Sequence, residues 1–286
     1  MKLYSPKTIN DIKIRYGFKL SKSLGQNFLT DKHIIDRIVE SAEATDEDLV
    51  IEIGPGIGVI TSEVAEYAKK VIAIEIDKNL IPILDETLGE FDNVEVINQD
   101  VLKTDINKLI EESGCRDAKI IGNLPYYITT PIIMYLLESG INVSSITIMM
   151  QKEVADRIKA SPGGKTYGAI SVAVQYYCEV ETVTNVPKNV FVPAPKVDST
   201  VLKLNVRKEK PVDLCDEKLF FRCIKAGFGQ RRKTLLNSMS SLGDVSKEDI
   251  RVCLSNAGIE EKRRAETLSI EEFAKLSNEV YRVLTR

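Results

Sequence analysis

The stretch Leu49-Val50-Ile51-Glu52-Ile53-Gly54-Pro55-Gly56-Ile57-Gly58 decides the fold. A short apolar run leads directly into three alternating glycines. An apolar run bounded by a turn signal reads as a strand buried on both faces, the pattern of a parallel sheet. Glycines at its end permit a tight turn and let the backbone approach a ligand without a Cβ clash. A helix is expected to follow, over about residues 61–68.

The pattern repeats outward from this unit. Residues 71–76, 94–97, 119–122 and 145–150 read as further short apolar strands, with helical segments between them. Strands alternating with helices indicate an α/β, doubly wound, mostly parallel sheet. Upstream, Asp31 is placed to cap a helix whose apolar positions Ile34, Ile35, Ile38 and Val39 fall at helical spacing. Downstream, residues 169–177 and 197–206 look like strands flanking a proline-rich segment, 186–195, and predict an antiparallel addition at the sheet edge. After Arg207-Lys208-Glu209-Lys210-Pro211 the character becomes helical. Ser246-Lys247-Glu248-Asp249 and Ser269-Ile270-Glu271-Glu272 both match a capping box. The reading divides the chain into an α/β domain over 1–208, with a basic N-terminal arm, and an all-helical domain over 209–286.

Composition narrows the possibilities. The 286 residues are 43% hydrophobic and 28% charged, which fits about two folded domains and argues against disorder. No apolar run approaches the roughly 18 residues a membrane span requires, and the first twenty residues lack the apolar block of a secretory signal. Five scattered cysteines without CxxC spacing argue against a disulfide framework or a zinc site, and His33 is the single histidine. No metal is expected, and reduced thiols point to the cytoplasm. A monomer is the default expectation.

The net charge of −3 conceals a strong asymmetry. Residues 1–22 carry Lys2, Lys7, Lys13, Arg15, Lys19 and Lys22 against Asp11. Residues 222–234 carry Arg222, Lys225, Arg231, Arg232 and Lys233 with no acid. Each segment is +5, so the remainder is −13. Two basic patches on an acidic protein can steer a polyanion to one face, although a charge run is often only solvated surface.

The glycine turn distinguishes between nucleotide cofactors. The dinucleotide fingerprint GxGxxG needs a glycine at its sixth position. Counting from Gly54, that residue is Val59, which disfavours an NAD-linked oxidoreductase. The spacing GxGxG suits a cofactor without a pyrophosphate, where backbone meets an amino-acid moiety. Glu75 ends the second strand 19 residues after Gly56, where a carboxylate can accept from both ribose hydroxyls. Asp100 follows the third strand and can accept from an adenine amine; capping a helix is its plainer role.

The fourth strand runs into Gly122-Asn123-Leu124-Pro125-Tyr126-Tyr127. An amine on an aromatic base is a poor nucleophile, because its lone pair is delocalised into the ring. An amide oxygen from Asn123 and a backbone carbonyl from Leu124 or Pro125 could accept its two N–H bonds. That would aim the lone pair at a methyl donor and stabilise the developing positive charge. Pro125 stiffens the turn, Tyr126 can stack on the base, and no strong general base is needed. The plainer alternative is a strand-closing turn with Tyr126 and Tyr127 as core aromatics. Gly54, Glu75, Asp100 and Asn123 at successive strand ends, where open α/β sheets bind ligands, favour the chemical reading.

On these residues the sequence resembles the ribosomal RNA adenine N6-dimethyltransferases, most closely the small-subunit type. The resemblance spans nearly the whole chain. It rests on Ser23-Leu24-Gly25-Gln26-Asn27-Phe28-Leu29, Glu52-Ile53-Gly54-Pro55-Gly56, Asn123-Leu124-Pro125-Tyr126 and Phe191-Val192-Pro193-Ala194-Pro195-Lys196-Val197-Asp198-Ser199. Ala226-Gly227-Phe228-Gly229-Gln230-Arg231-Arg232-Lys233-Thr234 and Arg264-Ala265-Glu266 add to it.

The resemblance implies a Rossmann-like fold binding S-adenosyl-L-methionine. Gln26, Asn27 and Leu29 join Gly54, Gly56, Glu75, Ile76, Asp100, Val101 and Asn123 around that cofactor. It implies that Phe191 faces Tyr126 across the target adenine, so that two rings clamp an extruded base. The segment around Gln230, with Arg222, Lys225, Arg231, Arg232 and Lys233, becomes a candidate for binding RNA phosphates. The implied activity is N6,N6-dimethylation of two adjacent adenosines in the 3′-terminal hairpin of 16S ribosomal RNA, on a small-subunit precursor. A large-subunit methylase of the macrolide-resistance type and a non-catalytic RNA-binding assembly factor are the alternatives.

Overall fold

The computed structural model describes residues 2–18 and 24–286. Ser23, Lys19 and Lys22, named above, lie outside the described residues. The chain forms two compact units, Met1–Ala155 with Glu179–Val206, and Asp156–Cys178 with Arg207–Arg286.

The first unit opens with helix α1 (Pro6–Arg15), then strand β1 (Phe28–Leu29) and helix α2 (Lys32–Ala42). Repeating units follow: β2 (Asp48–Ile53), α3 (Val59–Ala65), β3 (Lys70–Glu75), α4 (Ile81–Leu88), β4 (Val94–Asn98), α5 (Ile106–Ser113), β5 (Asp117–Asn123), α6 (Thr129–Glu138) and β6 (Ser145–Gln151). Helix α7 (Lys152–Ile158) and helix α8 (Ala169–Tyr177) precede β7 (Cys178–Val186), β8 (Phe191–Val192) and β9 (Ser199–Val206). Seven strands pair in the order β4-β3-β2-β5-β6-β9-β7. Strands β2 to β6 are parallel, and β9 runs antiparallel to β6. All six residues of β2 are buried, because helices cover both faces of a parallel sheet.

Strand order reverses at β2. The chain passes from β2 outward through β3 and β4, then returns to place β5 on the other side. The crevice beyond the carboxyl ends of β2 and β5 is therefore the switch point at which such sheets bind ligands.

Two expectations are corrected. The segment Ala169–Tyr177 is a helix, not a strand. Seven of its nine residues are buried, so no polar face survives to reveal the helical period. Helix α3 starts at Val59, directly after Gly58, and ends at Ala65, two to three residues earlier than expected. Within the basic N-terminal arm, residues 6–15 form helix α1. Helix α1 inserts Ile9 and Ile12 into the core, while Arg15 and Tyr16 bond Glu86. The Asp31 cap forms, its side chain accepting from Ile34 N at 3.2 Å.

The second unit packs helices α8, α9 (Glu217–Gly229), α10 (Leu235–Met239), α11 (Lys247–Asn256) and α12 (Ile270–Leu284). The linear division at 208/209 misses that Asp156–Cys178 packs with these helices. The cause is aromatic. Tyr176 and Tyr177 lie against Phe221, and both hydroxyls donate to Glu217 at 2.8 Å. The Ser269–Glu272 capping box forms in full, whereas Ser246 accepts from Asp249 N and donates back to the Asp249 carboxylate.

A buried ion pair ties β2 to β5. Lys119 Nζ lies 2.7 Å from Asp48 Oδ2, and the two side chains are only 10% and 6% exposed. Removing one partner leaves an uncompensated buried charge. Lys119→Met is expected to lower the unfolding free energy by about 3 kcal/mol, and adding Asp48→Asn should recover part of the loss. Denaturant midpoints check this; a Lys119→Met midpoint equal to wild type would contradict it.

Candidate functional site

Four neighbouring strands present their carboxyl ends to one cleft. Gly54 follows β2, Glu75 ends β3, Asp100 follows β4 and Asn123 ends β5. In-register pairing sets Glu75 beside Asn98 and Gly122 beside Ile53, so these ends are level. The cleft is lined by Gln26, Asn27, Leu29, Gly54, Gly56, Glu75, Ile76, Asp100, Val101 and Asn123. Leu124, Pro125 and Tyr126 line it too. Every residue expected at the cofactor site is therefore gathered in one place.

The glycine turn is built by backbone conformation. Gly54 and Gly56 have φ of +73° and +63°, a region L side chains rarely adopt. A Cβ on Gly56 would also lie 3.1 Å from the Phe28 ring. Phe28 is held by β1, which pairs antiparallel with β8. The bare turn thus leaves backbone facing the cleft.

Glu75 is 5% exposed. Burial pushes its carboxyl up to about 7, against the pull of backbone N–H donors at Asp77, Gly56 and Ile76. Two further acids escaped the sequence reading. Glu52 lines the floor of the cleft, and burial pushes it up to about 8 although Thr61 Oγ1 donates to it at 2.5 Å. It is therefore mostly neutral at pH 7. Asp77 accepts from Gln26 Nε2 at 2.8 Å, which holds the segment before β1 against the loop after β3. The sequence signal for Glu52 was its place inside an aliphatic run, where a charge is out of keeping. Asp100 caps a short turn, one oxygen accepting from Leu102 N at 3.0 Å, and the residue also lines the cleft.

The Asn123 turn has a defined polarity. Asn123 Nδ2 donates to the Asn27 carbonyl at 3.2 Å. A carbonyl only accepts, so the amide nitrogen must face it, leaving Oδ1 as the free acceptor. The Pro125 carbonyl already accepts from Ile128 N at 3.1 Å and Thr129 Oγ1 at 3.0 Å. The Leu124 carbonyl carries no bond among the described residues, so of the two carbonyls left open above, Leu124 supplies the available one. Tyr126 is half-buried, with its hydroxyl 2.7 Å from Ser199 Oγ. Tyr127 is not a core aromatic; it is 61% exposed at the cleft.

Phe191 does not line this cleft. It pairs with Leu29 across β8 and β1 and is buried in the core. The basic segment also divides. Arg222 forms a two-pronged ion pair with Asp244 at 2.7 and 2.8 Å. Arg231 donates to the carbonyls of Lys165 and Tyr167 at 2.8 and 3.2 Å. Lys225, Gln230, Arg232 and Lys233 are exposed, and the three cations are unpaired among the described residues. No group of side chains suited to a metal ion occurs among the described residues, and no described helix is long and apolar enough to cross a membrane.

A switch-point cleft with a bare glycine turn, a buried acid at the end of β3 and a free amide oxygen beside a free carbonyl has the form of a nucleoside-binding site that opens on acceptors for an amine. Comparison with known proteins sharpens this. The model of the family "Ribosomal RNA adenine dimethylase" matches residues 17–281. A ribosomal RNA small subunit methyltransferase A of Clostridioides difficile is 55% identical, covering 97% of this chain and 96% of the relative. Its counterpart in Bacillus pumilus is 54% identical, covering 98% of each. Among solved structures, a dimethyladenosine transferase from Plasmodium falciparum superposes with a TM-score of 0.75 at 27% identity, over 87% of this chain and 95% of that one. The 23S rRNA methyltransferase ErmE gives 0.67 at 26% identity, over 88% and 99%. The chain belongs to the ribosomal RNA adenine dimethylase family.

Glu75 yields a pH prediction. A carboxyl with a pKa of about 7 is mostly protonated at pH 6 and mostly ionised at pH 8. Hydroxyl donors favour the ionised form, so binding should weaken as pH falls through 7. S-adenosylhomocysteine is expected to bind more tightly at pH 8 than at pH 6 by calorimetry. Glu75→Gln should lose about tenfold in affinity at pH 8 and flatten the dependence. An unchanged profile in the variant would contradict the assignment.

Proposed function

We propose that this protein transfers methyl groups from S-adenosylmethionine to N6 of two adjacent adenosines in the 3′-terminal hairpin of 16S ribosomal RNA, two per adenosine, on a small-subunit precursor. The observation that carries the reading is the pair of free oxygens, Asn123 Oδ1 and the Leu124 carbonyl, opening onto the same cleft as the glycine turn and Glu75. Identity of 50–55% to small-subunit relatives, against 26% to ErmE, favours the small-subunit substrate over the large-subunit one.

The donor suits the cleft: bare backbone at Gly54 and Gly56, an acid at Glu75, apolar walls at Ile76 and Val101, and Asp100 beyond them. When bound, S-adenosylmethionine supplies an electrophilic methyl group on a positively charged sulfur. The chain's own residues do the rest. Glu75 accepts from ribose hydroxyls, Asp100 from the adenine amine, and Ile76, 54% exposed, packs on the ring. Asn123 Oδ1 and the Leu124 carbonyl accept the two N–H bonds of the target amine. That draws its lone pair out of conjugation and toward the donor. As the nitrogen gains positive charge, the same two oxygens stabilise it. Tyr126 offers its face to the target ring. The nitrogen takes the methyl carbon as that carbon's bond to sulfur breaks, becomes acidic only then, and gives its proton to water, so no side chain need remove one beforehand.

Of the basic segment in the second unit, Lys225, Arg232 and Lys233 are unpaired among the described residues and free to meet phosphate. Arg222 and Arg231 instead hold the surrounding loops in shape through Asp244 and the carbonyls at 165 and 167.

Incubating the protein with labelled S-adenosylmethionine and undermethylated small subunits, then digesting the RNA to nucleosides, should yield labelled N6,N6-dimethyladenosine. Binding to the particles without transfer would instead indicate an assembly factor. Asn123→Ala is expected to lower kcat by at least about a hundredfold, with a much smaller change in S-adenosylhomocysteine affinity. Equal turnover in the variant would contradict the orienting role. Arg232→Ala combined with Lys233→Ala is expected to weaken RNA binding and reduce the slope of log K against log salt by about 1.5, for two lost phosphate contacts. An unchanged slope would mean that these cations do not reach phosphate.

A further inference from the structure

We infer that Tyr127 is a second stacking platform, for the nucleobase next to the target adenosine; the inference rests on the function proposed above. Two consecutive tyrosines leave the Asn123 turn, and the fold treats them differently. Tyr126 is anchored in the wall through Ser199. Tyr127 has no hydrogen bond and no aromatic partner among the described residues, and it is 61% exposed while lining the same cleft.

An aromatic ring largely exposed at a binding cleft offers a flat face on which a planar ligand can stack. Of the exposed large apolar side chains, only Ile76 and Tyr127 line the cleft. Ile76 follows Glu75 and belongs to the nucleoside of the donor. Tyr127 follows Tyr126 and belongs to the side that receives the acceptor.

Gly25, at φ +62°, passes the same turn without a side chain, so none stands there against Pro125 or Tyr127. A tyrosine has few rotatable bonds and loses little entropy when a base stacks on it. Extruding an adenine deprives its neighbour of a stacking partner, and an exposed tyrosine one residue from the primary platform replaces it. Where the target is one of two adjacent adenosines, the base on Tyr127 is the other adenine of the pair. The platform then favours presenting the two bases together.

The test uses the full chain and a synthetic hairpin RNA carrying the adenosine pair, either intact or with the neighbouring nucleotide made abasic. Tyr127→Ala is expected to weaken binding of the intact hairpin about tenfold, as loss of a base–aromatic stack does, and not to weaken binding of the abasic hairpin further. Tyr127→Phe, which keeps the π-face, should restore the affinity. On small subunits the loss should fall in KM rather than kcat. Titration with S-adenosylhomocysteine confirms that each variant is folded. No loss with the intact hairpin, or an equal loss with both, would overturn the inference. Failure of the wild-type protein to methylate small subunits would instead overturn the reading beneath it.

Discussion

A hydrogen bond of 3.2 Å from the Asn123 amide to the Asn27 carbonyl joins the segment before α2 to the end of β5. It gives the Asn123 side chain its direction. Without it, either end of the amide could face the cleft, and a donor there would repel the N–H bonds of an amine. With it, oxygen faces outward. Saturation of the Pro125 carbonyl by Ile128 and Thr129 makes the same kind of choice one residue later, leaving Leu124 to supply the second acceptor. In the proposed mechanism the chemistry depends less on reactive side chains than on which lone pairs the fold leaves open.

Two of the acids that line the cleft are held back from full ionisation by burial. Burial holds Glu52 mostly neutral at pH 7 and leaves Glu75 close to its midpoint. A desolvated wall strengthens each remaining hydrogen bond, and a carboxyl poised near neutrality responds to the ligand that arrives. The parallel sheet makes this possible. Its strand ends fall level, so residues 54, 75, 100 and 123 meet although nearly seventy positions separate the first from the last.

Much of this was legible in the chain. Strands buried on both faces announce themselves as apolar runs, and the Gly54 turn, Glu75, Asp100 and Asn123 sit at predictable places after them. Other features depend on packing that no local pattern encodes. Ala169–Tyr177 is buried almost all round, so its helix resembles a strand in sequence. Its tyrosines commit it to the C-terminal helices through Glu217, a partner 40 residues away. Arg222 and Arg231 look identical to Arg232 in a basic run, yet one meets Asp244 and another meets two carbonyls. Phe191 matches its motif, yet it is buried in the core and is not among the residues that line the cleft. Asp77 and Glu52 needed the fold before their places at the cleft became visible.

The account stands on one location, the cleft at the β2–β5 switch point. A crystal structure of the protein with S-adenosylhomocysteine tests it most directly. The account places the ribose on the Glu75 carboxylate, the adenine between Ile76 and Asp100, and the sulfur toward Asn123 Oδ1. A ligand bound away from Asn123, or one leaving Glu75 without a hydroxyl partner, would contradict it.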